Sequence, residues 1–266
     1  MKTSARAVVL VHGIWDTSRV FAHMSRWLEA RGFRTLAVDL TPSDGTVGLE
    51  ELARQLREFV ERELAPGESF DLIGFSMGGL VSRYYVQRLG GVERVGRLIT
   101  ISTPHRGTYW AYTAGNVGSR QMQPGSKFLV ELNRDMAILE RVRVASIWTP
   151  LDLMIVPAGS SRLGEEFRVM VGLHAWMVRS RQCWEIVGRL LGNSSQVRFP
   201  SFVSSANIAT LALLHRTRQA GAPKGDGARE IKIENTGLGG EFSSRGQDTR
   251  ASIVLSGRLT SNVECS

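Results

Sequence analysis

The sequence predicts an α/β protein, a mostly parallel central sheet with helices on both faces, and three observations carry that prediction. Short apolar runs, clearest in Ala7-Val8-Val9-Leu10-Val11, lack polar alternation, as strands buried on both faces should. These runs alternate with segments whose apolar residues recur at helical spacing, which is the order of βαβ units. Finally, residues 70–83 read as a strand, a tight turn and a helix, with a serine at the apex: Phe70-Asp71-Leu72-Ile73, then Gly74-Phe75-Ser76-Met77-Gly78, then Gly79-Leu80-Val81.

Each element can be justified in turn. The first strand ends at His12-Gly13-Ile14-Trp15-Asp16. Residues 20–28 then place Val20, Phe21, Met24, Trp27 and Leu28 on one helical face, and Gly32 stops the helix. Residues 35–38 read as a second buried strand, closed by Asp39 and a loop over 42–48. Over 49–64, Leu52, Leu56, Phe59, Val60 and Leu64 define an amphipathic helix. After the serine turn, a strand over 95–101 runs into Ser102-Thr103-Pro104-His105-Arg106-Gly107-Thr108. Residues 109–140 break the rhythm, holding Tyr109, Trp110, Tyr112, Met122, Phe128 and Leu129 among Gly, Gln and Ser, with a helical end over 129–139. Regular order resumes with a strand over 142–148, the turn Thr149-Pro150-Leu151-Asp152, a strand over 167–171, His174, and a helix over 176–191.

Past residue 191 there is no tryptophan or tyrosine. Residues 192–266 offer one helix-like piece, 206–214, and strand-like pieces at 231–233 and 252–255. Apolar burial at ~25 cal/mol per Å² has little to act on there, while ordering each residue costs ~1–2 kcal/mol. The expected organisation is a domain over 1–191, with an insertion at 105–140, and a poorly ordered C-terminal extension over 192–266.

With 266 residues, 42% of them hydrophobic, the chain can bury a large core. Its net charge of +8 invites a nucleic-acid reading, but the basic residues are scattered and do not interleave with aromatics, so no nucleic-acid partner is expected. Cys183 and Cys265 fit no metal or redox spacing; Cys183, beside Trp184 in an apolar helical pattern, reads as a buried free thiol. The start of the chain does not read as a signal peptide, and no apolar stretch is long enough to span a bilayer. Those features give a cytoplasmic expectation, with no metal or cofactor implied.

The chemistry centres on Ser76. In a G-x-S-x-G turn the serine sits at a strained backbone angle, and side chains at the flanking glycines would collide with neighbouring elements. A serine hydroxyl needs a base within hydrogen-bond reach and an acid to orient that base. In the strand–turn–helix arrangement these follow in the order serine, acid, histidine, on loops at the carboxyl ends of strands. Of His105, His174 and His215, only His174 follows a late strand and precedes the terminal helix. Among Glu93, Glu131, Asp135, Glu140, Asp152, Glu165 and Glu166, only Asp152 sits in a loop just past a strong apolar strand. Ser76, Asp152 and His174 are therefore the candidate triad. Met77 N–H and Ile14 N–H, with Trp15 next in line, are the candidate oxyanion donors. His12 precedes Ser76 and reads as structural.

Val9-Leu10-Val11-His12-Gly13, Gly74-Phe75-Ser76-Met77-Gly78-Gly79, Thr103-Pro104-His105-Arg106-Gly107-Thr108, Thr149-Pro150-Leu151-Asp152 and Leu173-His174 together resemble the α/β-hydrolase superfamily, with closest similarity to small bacterial triacylglycerol lipases and esterases of the class 2 lipase type. The resemblance covers residues 5–191. It implies an α/β-hydrolase fold, an acyl-serine intermediate, and small-molecule carboxylic esters or lipids as substrates. The insertion at 105–140 then becomes a lid or acyl-binding wall, in which Trp15, Tyr109 and Trp110 are the candidate substrate contacts. Two other functions share these residues: an acyltransferase using the same acyl-serine, and a catalytically idle scaffold that binds a lipid or protein.

Overall fold

The strand Ala7–Val11 (β1) is buried along its whole length and pairs in parallel with Arg34–Val38 (β2) on one side and Phe70–Phe75 (β3) on the other. The computed structural model describes residues 6–192, together with the backbone of Gly240–Glu241 and Val254–Leu255. Val95–Ile101 (β4), Arg143–Trp148 (β5) and Glu165–Arg168 (β6) complete a six-stranded, all-parallel sheet in the order β2-β1-β3-β4-β5-β6. The chain lays β2 on one side of β1 and β3 on the other, so the carboxyl ends of β1 and β3 form the switch point where open α/β sheets place ligands.

The helices are α1 (Ala22–Glu29), α2 (Leu49–Glu63), α3 (Met77–Arg88), α4 (Val117–Gln121), α5 (Lys127–Arg134) and α6 (Arg181–Gly192). The alternation of β1 side chains divides the core. Ala7, Val9 and Val11 join Leu52 and Leu56 of α2 and Leu80 and Val81 of α3. Val8 and Leu10 join Met24 and Leu28 of α1 and Cys183 and Val187 of α6. Both faces of the sheet are thus covered, and each fully buried aliphatic side chain contributes ~1.5–3 kcal/mol. On α2, Leu49, Leu52, Leu56 and Val60 are buried at helical spacing. The helix α3 is buried on nearly every side, from Met77 to Gln87, because it lies between the sheet and α2.

Four expectations are corrected at the edges. β2 is half-exposed, from exposed Arg34 to buried Val38, because it is the edge strand rather than a fully buried one. The last strand is Glu165–Arg168 and not 167–171, since pairing with Ala145–Trp148 sets its limits. Val169 adds only a single bond, its N–H donating to Trp148 O at 2.9 Å. The expected helix over 176–191 is a 3-10 turn, His174–Arg179, followed by α6. The expected helical end over 129–139 is likewise α5 followed by a 3-10 turn, Met136–Arg141. Cys183 is buried and free as expected, and burial pushes its thiol up to about 12.

The chain divides into two units, Met1–Val197 and Arg198–Ser266. In the second, Gly240–Glu241 pairs antiparallel with Val254–Leu255, which falls within the strand-like piece at 252–255. The pieces expected at 206–214 and 231–233, and the expected low order of the extension, lie outside the described residues. Among the described residues no helix is long and apolar enough to cross a membrane.

Candidate active site

Ser76 stands between β3 and α3 with φ 53° and ψ −125°, a conformation L-residues avoid. Its neighbours hold it there. A Cβ at Gly78 would lie 2.3 Å from the carbonyl oxygens of Val11 and His12, and one at Gly74 would lie 2.5 Å from Gly79 Cα. The backbone of Ser76 is tied by its N–H to Ile101 O at 2.8 Å. Besides Ser76, Trp15 (φ 59°) and Ser102 (φ 47°) are the non-glycine residues at positive φ among those described. They follow β1 and β4, the two strands flanking β3, so strain is gathered around one point of the sheet edge.

Asp152 and His174 meet across the loops after β5 and β6, Nδ1 to Oδ2 at 2.8 Å, with both side chains almost fully buried. The other carboxylate oxygen, Oδ1, accepts from the N–H groups of Met154 and Ile155 at 3.0 and 3.1 Å. Burial would raise the Asp152 carboxyl, but the hydrogen bond from His174 and that from the Ile155 N–H outweigh it and hold it below the usual carboxylate range. That contact fixes Nδ1 as the donor and leaves Nε2 with a lone pair. The His174 ring packs 4.9 Å from that of Phe75, the residue before Ser76. The loops thus bring acid and histidine together beside the serine turn.

The loop after β1 is fastened by His12. Leu40 N–H donates to His12 Nε2 at 2.9 Å, which puts the proton on Nδ1, facing Gly13 O at 2.9 Å. His12 is fully buried and structural, as its position before Ser76 implied. A Cβ at Gly13 would lie 3.0 Å from Ser76 Cβ, so the next residue, Ile14, is held against the serine turn. Neither Ile14 N–H nor Met77 N–H has a hydrogen-bond partner among the described residues, and Met77 opens α3, where helices leave N–H groups free. Trp15 is corrected as an oxyanion donor: its N–H is engaged by Ser43 O at 2.8 Å. Its indole remains 55% exposed and meets Trp110 edge-on at 5.3 Å. Tyr109, also exposed, stacks on Tyr112.

Two features escaped the sequence reading. Asp16 lies near His174, His12 and Arg179, and burial pushes its carboxyl up; a search confined to acids after Ser76 cannot find it. Arg83 is fully buried on α3, where its guanidinium donates to Leu132 O at 3.2 Å and Asn133 Oδ1 at 3.0 Å and faces His105 Nδ1 at 3.4 Å. Burial lowers it to about 10. His105 is buried too, its Nε2 3.0 Å from Thr100 Oγ1, and desolvation together with Arg83 and Arg106 holds its pKa well below the usual histidine value. These two residues bind the 105–140 insertion to α3. Farther along, Gln121 and Asn116 reach Leu49 N–H and Asp44 O. Among the described residues no cluster of His, Cys, Asp or Glu could hold a metal ion.

A parallel sheet with its serine turn after β3 and an acid–histidine pair after β5 and β6 defines the α/β-hydrolase fold, and solved lipases share it. Aspergillus fumigatus lipase B superposes with a TM-score of 0.61 at 14% identity, covering 72% of this chain and 53% of that one. Mature Bacillus licheniformis lipase BlEst2 does so with 0.58 at 18% identity, covering 71% and 93%. Within that fold, the chain belongs to the palmitoyl protein thioesterase family, whose model matches residues 7–159. Mouse (Mus musculus) lysosomal thioesterase PPT2 is 32% identical over 111 residues, 40% of this chain and 36% of its own. A triacylglycerol lipase from Pseudarthrobacter phenanthrenivorans is 31% identical over 112 residues, 39% and 34%. The matched part is about a third of the length of these curated relatives. Kinship to lipases was legible in the motifs; the thioesterase branch was not.

Proposed function

We propose that this chain hydrolyses acyl esters, thioesters among them, through an acyl-serine formed on Ser76. The observation that carries the reading is the buried Asp152–His174 hydrogen bond beside a serine strained at the apex of a strand–turn–helix. In this mechanism His174 Nε2 takes the Ser76 proton as Oγ adds to the acyl carbon. Asp152 holds the ring through Nδ1–H and stabilises the imidazolium. The N–H groups of Ile14 and Met77 receive the oxyanion. Collapse breaks the bond to the alcohol or thiol, which leaves with the proton from His174. Water then adds to the acyl-enzyme by the same base, releasing the carboxylic acid and free Ser76.

In this reading Trp15, Tyr109 and Trp110 serve as an aromatic wall for an acyl chain, supported by the Trp15–Trp110 contact and by the exposure of Trp15 and Tyr109. The thioester part rests on the family; the lipase relatives support oxygen esters. A paired series of p-nitrophenyl esters and S-acyl thioesters of rising chain length tests both. Turnover of either series, lost with Ser76→Ala, supports the reading; no turnover of any member by folded protein refutes it.

A further inference from the structure

We propose that the carboxyl edge of the sheet is also a docking face for an anionic lipid–water interface, a function that goes beyond the chemistry at Ser76 and can be read without it. Eleven large apolar residues are exposed among the described residues, and all but Val117 and Val130 lie on the loops that follow β1, β4, β5 and β6. The most exposed are Leu153 at 76%, Met170 at 61% and Tyr109 at 60%, on the loops after β5, β6 and β4. Exposed apolar residues scattered singly need no explanation; gathered on one edge they mark a surface that something covers.

The loops that bear them are joined. Tyr109 N–H donates to Val156 O at 2.8 Å, linking the loops after β4 and β5. Thr149 Oγ donates to Val171 O at 2.9 Å, linking those after β5 and β6. The Trp15–Trp110 contact closes the ring back to β1. The loops that carry the apolar collar are therefore tied to one another along the carboxyl edge of the sheet.

Charge decides the occupant. Arg106, Arg168 and Arg179 stand exposed on these same loops or at their edges, and none has a carboxylate partner within salt-bridge distance among the described residues. Arg106 reaches only Gly159 O, and Arg168 reaches Met170 Sδ at 3.8 Å. Asp16 lies near Arg179 but outside salt-bridge distance, whereas Arg106 and Arg168 have no such neighbour among the interactions described. An apolar centre carrying exposed tryptophan and tyrosine, with these arginines at its margin, matches a bilayer surface with anionic headgroups.

The test is co-sedimentation of the full chain with phosphatidylcholine vesicles, with and without phosphatidylglycerol. The wild-type chain is expected to bind the anionic vesicles more tightly than the neutral ones. Leu153→Glu/Met170→Glu is expected to weaken that binding by at least about tenfold. Arg168→Gln/Arg179→Gln is expected to cost about fivefold per arginine on anionic vesicles and little on neutral ones. Val130→Glu, off the collar, is expected to bind as wild type. Thermal unfolding of each variant checks that the fold is intact, and Leu153→Ser/Met170→Ser replaces the glutamate pair if it is not. The proposal is overturned if the wild-type chain stays in solution with anionic vesicles, if it binds both vesicle types equally, or if the folded collar variant binds unchanged. It is equally overturned if the collar substitutions only convert a dimer to a monomer in sedimentation velocity, since the face then serves a second copy of the chain.

Discussion

Ser76 keeps a backbone conformation that costs ~1–3 kcal/mol because Gly74 and Gly78 leave the surrounding chain no room to relax it. Under the proposed mechanism the consequences fall on the acid and the base. His174→Ala is expected to lower kcat for a soluble ester by at least ~10³-fold, and Asp152→Asn by less, because members of one catalytic unit do not add. Steady-state kinetics on folded variants checks this; more than a tenth of wild-type kcat in His174→Ala would place the base elsewhere. His105 acts on stability instead. Its folded pKa is well below the unfolded value near 6.5, so below about pH 6.5 the unfolded chain takes up a proton that the folded one refuses, and stability falls with pH. His105→Gln is expected to flatten the fall in unfolding free energy between about pH 7 and 5, measured by denaturant titration. Asp152 works in a lower window. Its depressed carboxyl contributes stability present above about pH 4 and lost as pH falls through its folded value.

The helix α3 carries two loads, opening at Met77 beside the serine and holding the insertion through Arg83 and Gln87. Arg83→Ala would leave Asn133 Oδ1 without its donor, leave Leu132 O with Gln87 alone, and open a cavity, so a loss of at least ~3 kcal/mol in unfolding free energy is expected. A variant within ~1 kcal/mol of wild type would show that the insertion does not depend on this anchor. Neither Arg83 nor its role was legible, because the groups it holds in the insertion beyond His105 lie some fifty residues away and are carbonyl, amide and thioether groups with no sequence signature. By contrast β1, β3, β4 and α2 were legible almost to the residue, since strands buried on both faces and a one-sided helix leave distinct patterns. Edge strands do not. Thr35-Leu36-Ala37-Val38 reads the same at the sheet edge as in its middle, and only the pairing order separates the two. Asp152 and His174, which the structure joins by a hydrogen bond, could be singled out as candidates because chain order limits which loops reach a serine turn. The engaged Trp15 N–H could not, as it depends on Ser43 in a loop with no periodicity.

At the scale of the whole molecule, the loops after β1 and β3 hold the serine turn, and those after β5 and β6 bring Asp152 and His174 together with the His174 ring against Phe75. Every residue in the proposed mechanism lies between Ile14 and His174, inside the unit Met1–Val197. A chain ending at Val197 is therefore expected to keep most of the ester turnover of the full chain, measured as kcat/KM on a short p-nitrophenyl ester. A loss of more than tenfold in folded protein would mean that the second unit contributes to the site. The central claim, that Ser76 is the nucleophile, meets its most direct test in covalent labelling. Wild-type chain treated with an alkyl fluorophosphonate should gain one adduct, mapped by peptide mass spectrometry to Ser76, in step with loss of turnover, and Ser76→Ala should gain none. An adduct on another serine that tracks inactivation, or labelling of folded Ser76→Ala at the wild-type rate, would contradict it.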